Sequence, residues 1–290
     1  MNEVFVIFGP TASGKSDLAK KISRKLESRI INFDSLQVYQ QLRVLTSRPS
    51  LKDEKAIDHR LYGIIDGNEN CTVAKWLKLA RNEIKNCWKE KKIPILVGGT
   101  GLYLKGLMQG ISHIPDISDS TIKNTDASFA KNGANYLYKF ILEHNKNTKI
   151  KETDTQRLKR SYSLLMETGY SLEEWQVKPE KIFKNINYKI ILLNEDRSTI
   201  YEKAKIRFNS MIDNGAIEEV EKLTKERIDP NRSIMKAIGV REICKYLDSK
   251  YSLDDCKEET VQKTRNYIKR QQTWIKSNNI SSNIDFKKYI

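Results

Sequence analysis

Gly9-Pro10-Thr11-Ala12-Ser13-Gly14-Lys15-Ser16 stands between the apolar run Val4-Phe5-Val6-Ile7-Phe8 and a stretch carrying Leu18, Ala19, Ile22 and Leu26 at helical spacing. Strand, glycine loop, helix is the context in which a G-x-x-x-x-G-K-[ST] segment binds phosphate. Gly9 and Gly14 let the backbone turn tightly and come close to an anion, so that successive N–H groups and a helix N-terminus converge on phosphate oxygens. Lys15 adds a positive charge, and the Ser16 hydroxyl is a candidate ligand for Mg²⁺. The loop specifies a bound di- or triphosphate and leaves open what happens to it. A kinase for a small molecule or nucleotide uses the same device.

The chain has 290 residues, enough for one large core or for a core with a smaller inserted unit. Its four cysteines form no C-x-x-C pair and its three histidines are scattered, a pattern that argues against a zinc site and for buried thiols in a reducing cytosol. No apolar run approaches ~18 residues and no signal-peptide pattern opens the chain, so a cytoplasmic protein without a membrane segment is expected. Lys and Arg together number 52 against 37 Asp and Glu, a net charge of +15. That is the profile of a polyanion binder, or of a compositional bias, and the placement of the charges has to decide.

Working outward from the loop, Ile30-Ile31-Asn32-Phe33 reads as a second buried strand that runs into Asp34-Ser35-Leu36-Gln37-Val38-Tyr39. Ligands of open α/β sheets sit beyond the carboxyl ends of the strands, so Asp34 is placed to face the phosphate crevice, as a base or a metal ligand; a turn aspartate or helix cap is the alternative. Residues 40–70 read as loop with short elements. Residues 72–89 read as a helix with Val73, Trp76, Leu77, Ala80, Ile84 and Trp88 on a core-facing stripe. A third strand, Ile93 to Val97, ends in Gly98-Gly99-Thr100-Gly101 and leads into a helix from Leu102, which brings the Thr100 hydroxyl to the crevice mouth. Strands alternating with helices imply a parallel sheet.

From Ile111 the composition turns polar, and a helical insertion is expected, with a helical patch over 134–142 and a clear helix over 153–168 stopped by Gly169. Tyr188 to Leu193 reads as a strand returning to the core. Helices are then expected over 196–214, 216–227, 240–247 and 253–276. In the last, Val261, Ile268 and Ile275 face inward, Arg265, Lys269 and Lys276 form a basic edge, and Thr264, Tyr267, Gln271 and Trp274 a polar and aromatic one. That interleaving suits nucleic acid, and equally a plain amphipathic helix.

Six blocks together resemble the tRNA dimethylallyltransferases, the isopentenyl-tRNA transferases: GPTASGKS from Gly9, INFDSLQVY from Ile31, LVGGTGLYLKGL from Leu96, DTQRLKRS from Asp154, MKAIGVRE from Met235 and TRNYIKRQQTW from Thr264. They follow the family's order from end to end of the chain. Departures occur where the family usually reads Y-x-G-x-D-I-G-T-A-K-P, which is here Tyr39-Gln40-Gln41-Leu42-Arg43-Val44-Leu45-Thr46-Ser47-Arg48-Pro49. Gly63 also stands where an aspartate is common, and Val240 replaces a usual tyrosine.

The resemblance implies an α/β fold, a P-loop NTPase-like parallel sheet flanked by helices, with residues 1–110 and 185–290 as catalytic core and 111–184 as a helical insertion that contacts tRNA. It implies transfer of a dimethylallyl group from dimethylallyl diphosphate to N6 of the adenosine 3′ of the anticodon, by a monomer that uses Mg²⁺ held at Ser16. Residues Gly9 to Ser16 and Arg207 would grip the diphosphate, with the backbone donors of Thr11 to Ser16 on its oxygens. Asp34 would act as general base and Thr100 would orient the amine. The tRNA would be met by Asp34, Ser35, Leu36, Gln37, Thr100, Gln156, Arg157, Leu158, Lys159, Arg160, Arg265 and Lys269. On this view placement settles the charge question in favour of RNA.

Overall fold

The computed structural model describes residues 2–176 and 179–289. They form two compact units, Met1–Leu107 with Phe183–Ile290, and Met108–Ile182. The first unit opens with β1 (Glu3–Phe8), α1 (Lys15–Ser23), β2 (Ser28–Asn32), α2 (Leu51–Ala56), β3 (His59–Arg60), α3 (Val73–Lys89), β4 (Ile93–Gly98) and α4 (Gly101–Gln109). After the second unit, whose helices are α5 (Asp119–His144), α6 (Thr155–Thr168) and α7 (Leu172–Trp175), the first resumes. It continues with β5 (Asn187–Leu192), α8 (Arg197–Asp213), α9 (Ala216–Lys225), α10 (Val240–Leu247) and α11 (Leu253–Ser277).

The five strands pair in the order β3-β2-β4-β1-β5, all parallel. Strands buried on both faces read as continuous apolar runs, which is why β1 and β4 were visible in the sequence. β3 was not singled out: it is two residues long, His59 and Arg60, and is one of the short elements in the stretch expected to be loop with short elements. Alternation along β1 sends Phe5 and Ile7 toward Leu18, Ala19 and Ile22 of α1. On the opposite face an aromatic row runs under the strand ends. Phe8 meets Trp274 at 5.7 Å and Phe33 at 5.9 Å, Phe33 meets Trp76 at 6.4 Å, and Trp76 stacks on Tyr103 at 4.4 Å between ring centroids. The Trp76 indole N–H donates to the Asn32 carbonyl at 2.9 Å, so α3 is bolted to the end of β2.

At the start of β2, Arg29 is almost fully enclosed and donates to Asp58 at 2.6 Å and Glu90 at 3.0 Å, with Glu83 at 3.7 Å. Burial pushes the Asp58 carboxyl up, but the Arg29 hydrogen bond and charge, with Arg60 beside them, hold it below the usual carboxylate range. Arg29→Ala would remove the buried cation at the centre of this cluster, leaving only the more exposed Arg60, 2.8 Å from Asp58, and Lys92, 3.0 Å from Glu90, at its rim. A loss of about 3–5 kcal/mol is expected, seen as a lower midpoint in urea unfolding.

The far edge of the sheet is covered by the segment after α11. Asn283 exchanges backbone and side-chain hydrogen bonds with Ile190 and Tyr188, and the Leu192 N–H donates to Ser282 Oγ at 2.9 Å. Ile284, Phe286 and Tyr289 pack against the α1-side core. An open strand edge is thereby denied to other chains. Among the described residues no helix is long and apolar enough to cross a membrane.

In the second unit α6 is capped by the Asp154 carboxylate and ends at Gly169, whose φ of 74° suits a left-handed stop. Leu137, Ile141, Ile150, Leu158 and Tyr162 make its core. The helix expected over 134–142 starts after a break at Gly133, where φ is 78°, and runs on to His144; a helical stretch from Asp119, not expected from the sequence, precedes the break. Its first half carries little apolar periodicity because Thr125, buried, bonds Ser163 at 2.7 Å instead.

Candidate active site

Three strand ends, those of β1, β2 and β4, deliver the segments that build the site. Gly98 allows two of them to touch: a Cβ there would lie 2.5 Å from the Phe33 carbonyl carbon. In the phosphate loop Gly14 is the N-cap of α1 in the left-handed region, with no side chain bonded over the helix end, so the first-turn N–H groups stay free for an anion. Ala12 also has a positive φ of 65° and packs on Ile200, Ala204 and Ile268.

The loop is held from above by α8 and α11. The Arg207 guanidinium donates to Thr11 Oγ1 at 2.6 Å. The Thr11 N–H donates to Gln271 Oε1 at 2.9 Å, and Gln271 Nε2 donates to the Gly99 carbonyl at 2.9 Å. One buried amide therefore ties the phosphate loop to the β4 loop. This corrects two expectations. The Thr11 N–H is spent on Gln271, so free loop donors begin at Ala12. Gln271 and Trp274 face the protein and not RNA, Trp274 lying where a Cβ on Gly101 would come within 2.5 Å of its ring.

Gly99 has equally little room, since a Cβ would stand 2.5 Å from Gln271 Nε2 and 2.9 Å from the Gly9 carbonyl oxygen. Gly99→Ala is expected to cost about 1–3 kcal/mol of overpacking. The cost should fall on diphosphate affinity, because the displaced amide releases the loop; titration calorimetry with inorganic diphosphate checks it.

Lys15 donates to the Pro10 carbonyl at 2.5 Å and to Ser13 Oγ at 3.5 Å. Burial lowers its ammonium to about 7; Asp34 opposes that shift, and Arg207 adds to it. The Arg207 guanidinium is likewise pushed down by burial and supported by Asp34. Asp34, Lys15 and Arg207 thus lie within electrostatic reach of one another. Burial and the Asp34 charge both raise the half-buried Tyr267 phenol. Two cations against one carboxylate give the loop an excess of positive charge, which suits an anion.

Asn32, wholly buried, fixes Asp34: its side chain accepts from the Asp34 N–H at 2.8 Å and donates to the Asp34 carbonyl at 3.0 Å. The Asp34 carboxylate takes the Leu36 N–H at 2.9 Å with one oxygen and keeps the other free of protein donors among the described residues. Ser35 donates its N–H to Thr100 Oγ1 at 3.0 Å, which joins the β2 and β4 loops and leaves the Thr100 hydroxyl hydrogen to donate elsewhere. Gln37 spends both amide hydrogens on the Thr46 and Ser47 carbonyls, at 2.8 and 3.0 Å, so it offers only its Oε1, an acceptor. Ser16 is exposed and opens on a cavity of about 110 Å³ also lined by Lys20, Arg48, Asp53 and Tyr62.

Of the other residues singled out from the sequence, Lys269 is exposed on α11, whereas Arg265 lies 5.5 Å over the Tyr201 ring and 3.9 Å from Glu202. On α6, in the second unit, Gln156, Arg157 and Arg160 are exposed, and Lys159 pairs with Asp126 at 2.7 Å. Leu158 is a correction: it is fully buried in that unit's core, as its place on the inward stripe of α6 requires, and presents no side chain to a ligand. Asn32, Gly99 and Gln271 carry geometry that sequence reasoning did not assign. Their only signal was membership in the blocks around Asp34, Thr100 and Trp274.

Residues 37–278 match the family model described as IPP transferase. A tRNA dimethylallyltransferase of Pelagibacter ubique (strain HTCC1062) is 40% identical over 278 residues, 95% of this chain and 89% of that protein. One of Ehrlichia chaffeensis (strain ATCC CRL-10679 / Arkansas) is 37% identical over 279 residues, 95% of this chain and 91% of that one. Among solved structures, the tRNA delta(2)-isopentenylpyrophosphate transferase of Staphylococcus epidermidis superposes with a TM-score of 0.68 at 27% identity, covering 98% of this chain and 92% of that one. A eukaryotic dimethylallyltransferase described as acting on tRNA gives 0.79 at 25% identity, over 95% and 70%. With the family model spanning most of its length and relatives of this identity over nearly all of it, the chain belongs to the IPP transferase family.

Proposed function

We infer that this protein transfers the dimethylallyl group of dimethylallyl diphosphate to N6 of the adenosine 3′ of the anticodon in tRNA, releasing diphosphate. The observation that carries the reading is the juxtaposition of an electron-poor anion cradle, Lys15 with Arg207 and the α1 N-terminus, and a carboxylate, Asp34, within its field. In the reaction the adenine N6 bonds to the allylic carbon as that carbon's bond to diphosphate oxygen breaks, and the N6 proton passes to the free oxygen of Asp34. The leaving diphosphate gains negative charge as it departs, so Lys15, Arg207 and the loop N–H groups from Ala12 to Ser16 stabilise the transition state more than the ground state.

Adenine N6 is a weak nucleophile because its lone pair is delocalised into the ring. Gln37 Oε1 accepts its second hydrogen and so holds the amine against Asp34, while the Thr100 hydroxyl orients it. Leu36 contributes its backbone, which shapes the Asp34 turn, and Ser35 lines the base. A stacked base cannot reach such a site, so the nucleotide is turned out of the anticodon loop. Gln156, Arg160 and Lys269, exposed and polar, meet the RNA backbone, with Arg157, Lys159 and Arg265 available once their present partners, Asp154, Asp126 and Glu202, exchange. The exposed Ser16 hydroxyl, which bonds no other described residue, fits Mg²⁺, an ion that binds through few protein ligands plus phosphate oxygens and water. When bound there it neutralises charge on the diphosphate. We take the working form to be a monomer.

Incubation with labelled dimethylallyl diphosphate and unmodified tRNA should place the label in tRNA with one diphosphate released per turnover. Phosphate incorporation from ATP with no prenyl label would instead mark a kinase.

A further inference from the structure

We propose that Glu219, on α9 and outside the crevice, is a positioning residue for recognition of the adenine, acting through the segment 43–47 on Gln37. This rests on the function proposed above. The Glu219 carboxylate gathers successive backbone donors: the Arg43 and Val44 N–H groups reach Oε1 at 2.6 and 2.8 Å, and the Leu45 N–H reaches Oε2 at 2.9 Å. A turn whose N–H groups converge in this way is a nest for an anion, here filled from within the protein. The next carbonyls, those of Thr46 and Ser47, are the two that hold the Gln37 amide. Gln37 closes the chain of bonds by accepting the Gly63 N–H at its backbone carbonyl, at 2.9 Å.

The same segment is braced on its other sides. Leu45 is buried against Gly239, where a Cβ would approach Leu45 Cδ1 to 2.8 Å. Arg43 donates to the Pro49 carbonyl at 2.5 Å and to Glu54 at 3.0 Å. Arg48 bonds the Tyr39 and Gln40 carbonyls at 3.2 Å and fills the space beside Gly63, where a Cβ would lie 2.1 Å from its guanidinium. These contacts give a physical account of the departures in this stretch: Gly63 makes room for Arg48, and the Leu42 to Leu45 turn is shaped by a carboxylate brought from α9. The diphosphate cradle shares none of these bonds.

The test combines a mutant cycle with an activity-independent readout. Glu219→Ala should lower kcat/KM for tRNA by about 10- to 100-fold, the scale of lost hydrogen bonds to a charged group, with the Kd for inorganic diphosphate unchanged. Glu219→Gln, whose Oε1 can still take the Arg43 and Val44 N–H groups, should fall between wild type and Glu219→Ala. In a Gln37→Ala background, Glu219→Ala should cost less than about threefold, because residues acting through one another are not additive. Equal costs in both backgrounds would overturn the proposal and leave Glu219 as a structural brace. Amide hydrogen exchange at 43–47 in the ligand-free protein reports the latch whether or not prenyl transfer occurs. Loss of protection there in Glu219→Ala is expected, and unchanged protection would overturn it; a wild-type protein that transfers no prenyl group would sink the functional reading instead.

Discussion

Asp34→Asn is expected to lower single-turnover prenyl transfer by about 10²–10⁴-fold, the usual worth of a general base, with much smaller change in diphosphate affinity. Asparagine is the informative substitution because Asp34 has two tasks. One oxygen accepts the Leu36 N–H at 2.9 Å and shapes the turn, a bond an asparagine carbonyl keeps. The backbone is pinned by Asn32 whatever the side chain. What asparagine cannot do is receive a proton. Asp34→Ala removes both tasks, so the difference between the two variants measures the turn. Unchanged turnover in Asp34→Asn would remove the residue as base.

The second large effect concerns pH. Lys15, enclosed by its loop and beside Arg207, has its ammonium lowered to about 7. Dimethylallyl diphosphate brings the missing counter-charge, so its complex holds the proton to a higher pH than the free protein does. Binding therefore takes up a proton above pH 7, and affinity should fall with a slope approaching tenfold per pH unit above pH 8, reaching roughly 50-fold weaker at pH 9 than at pH 7. Calorimetric titrations at pH 8.5 in buffers of different ionisation enthalpy should show uptake near one proton. Lys15→Met should bind weakly at every pH and lose the slope. An affinity independent of pH between 7.5 and 9 would contradict the assignment. The ligand-free protein has the opposite tendency: because the folded value lies below the ordinary 10.5, its stability rises as pH climbs from about 7 toward 10.5.

Much of this arrangement could be read from the chain because strands buried on both faces and helices with one wet side write their period into the residues. The β1, β4 and β5 runs, the α6 stripe and the loop from Gly9 to Ser16 are of that kind. The polar residues were harder, since a side chain's type does not say whether its hydrogen bonds are already committed. Gln271 reads as an exposed amide suited to RNA until its partners, Thr11 and Gly99, are seen. Gln37 reads as donor and acceptor until Thr46 and Ser47 take both of its hydrogens. Leu158 was included with its charged neighbours by adjacency, although helical spacing puts it on the inward side. His59 and Arg60 form a strand only because β2 offers them an edge.

The Thr11 to Gln271 bond spans 260 positions of sequence. Contacts of such separation form late and slowly, since the intervening chain must be ordered first. A chain ending before Gln271 would therefore carry its glycine loop without the amide that ties it to the β4 loop, so the anion cradle is complete only once α11 has docked.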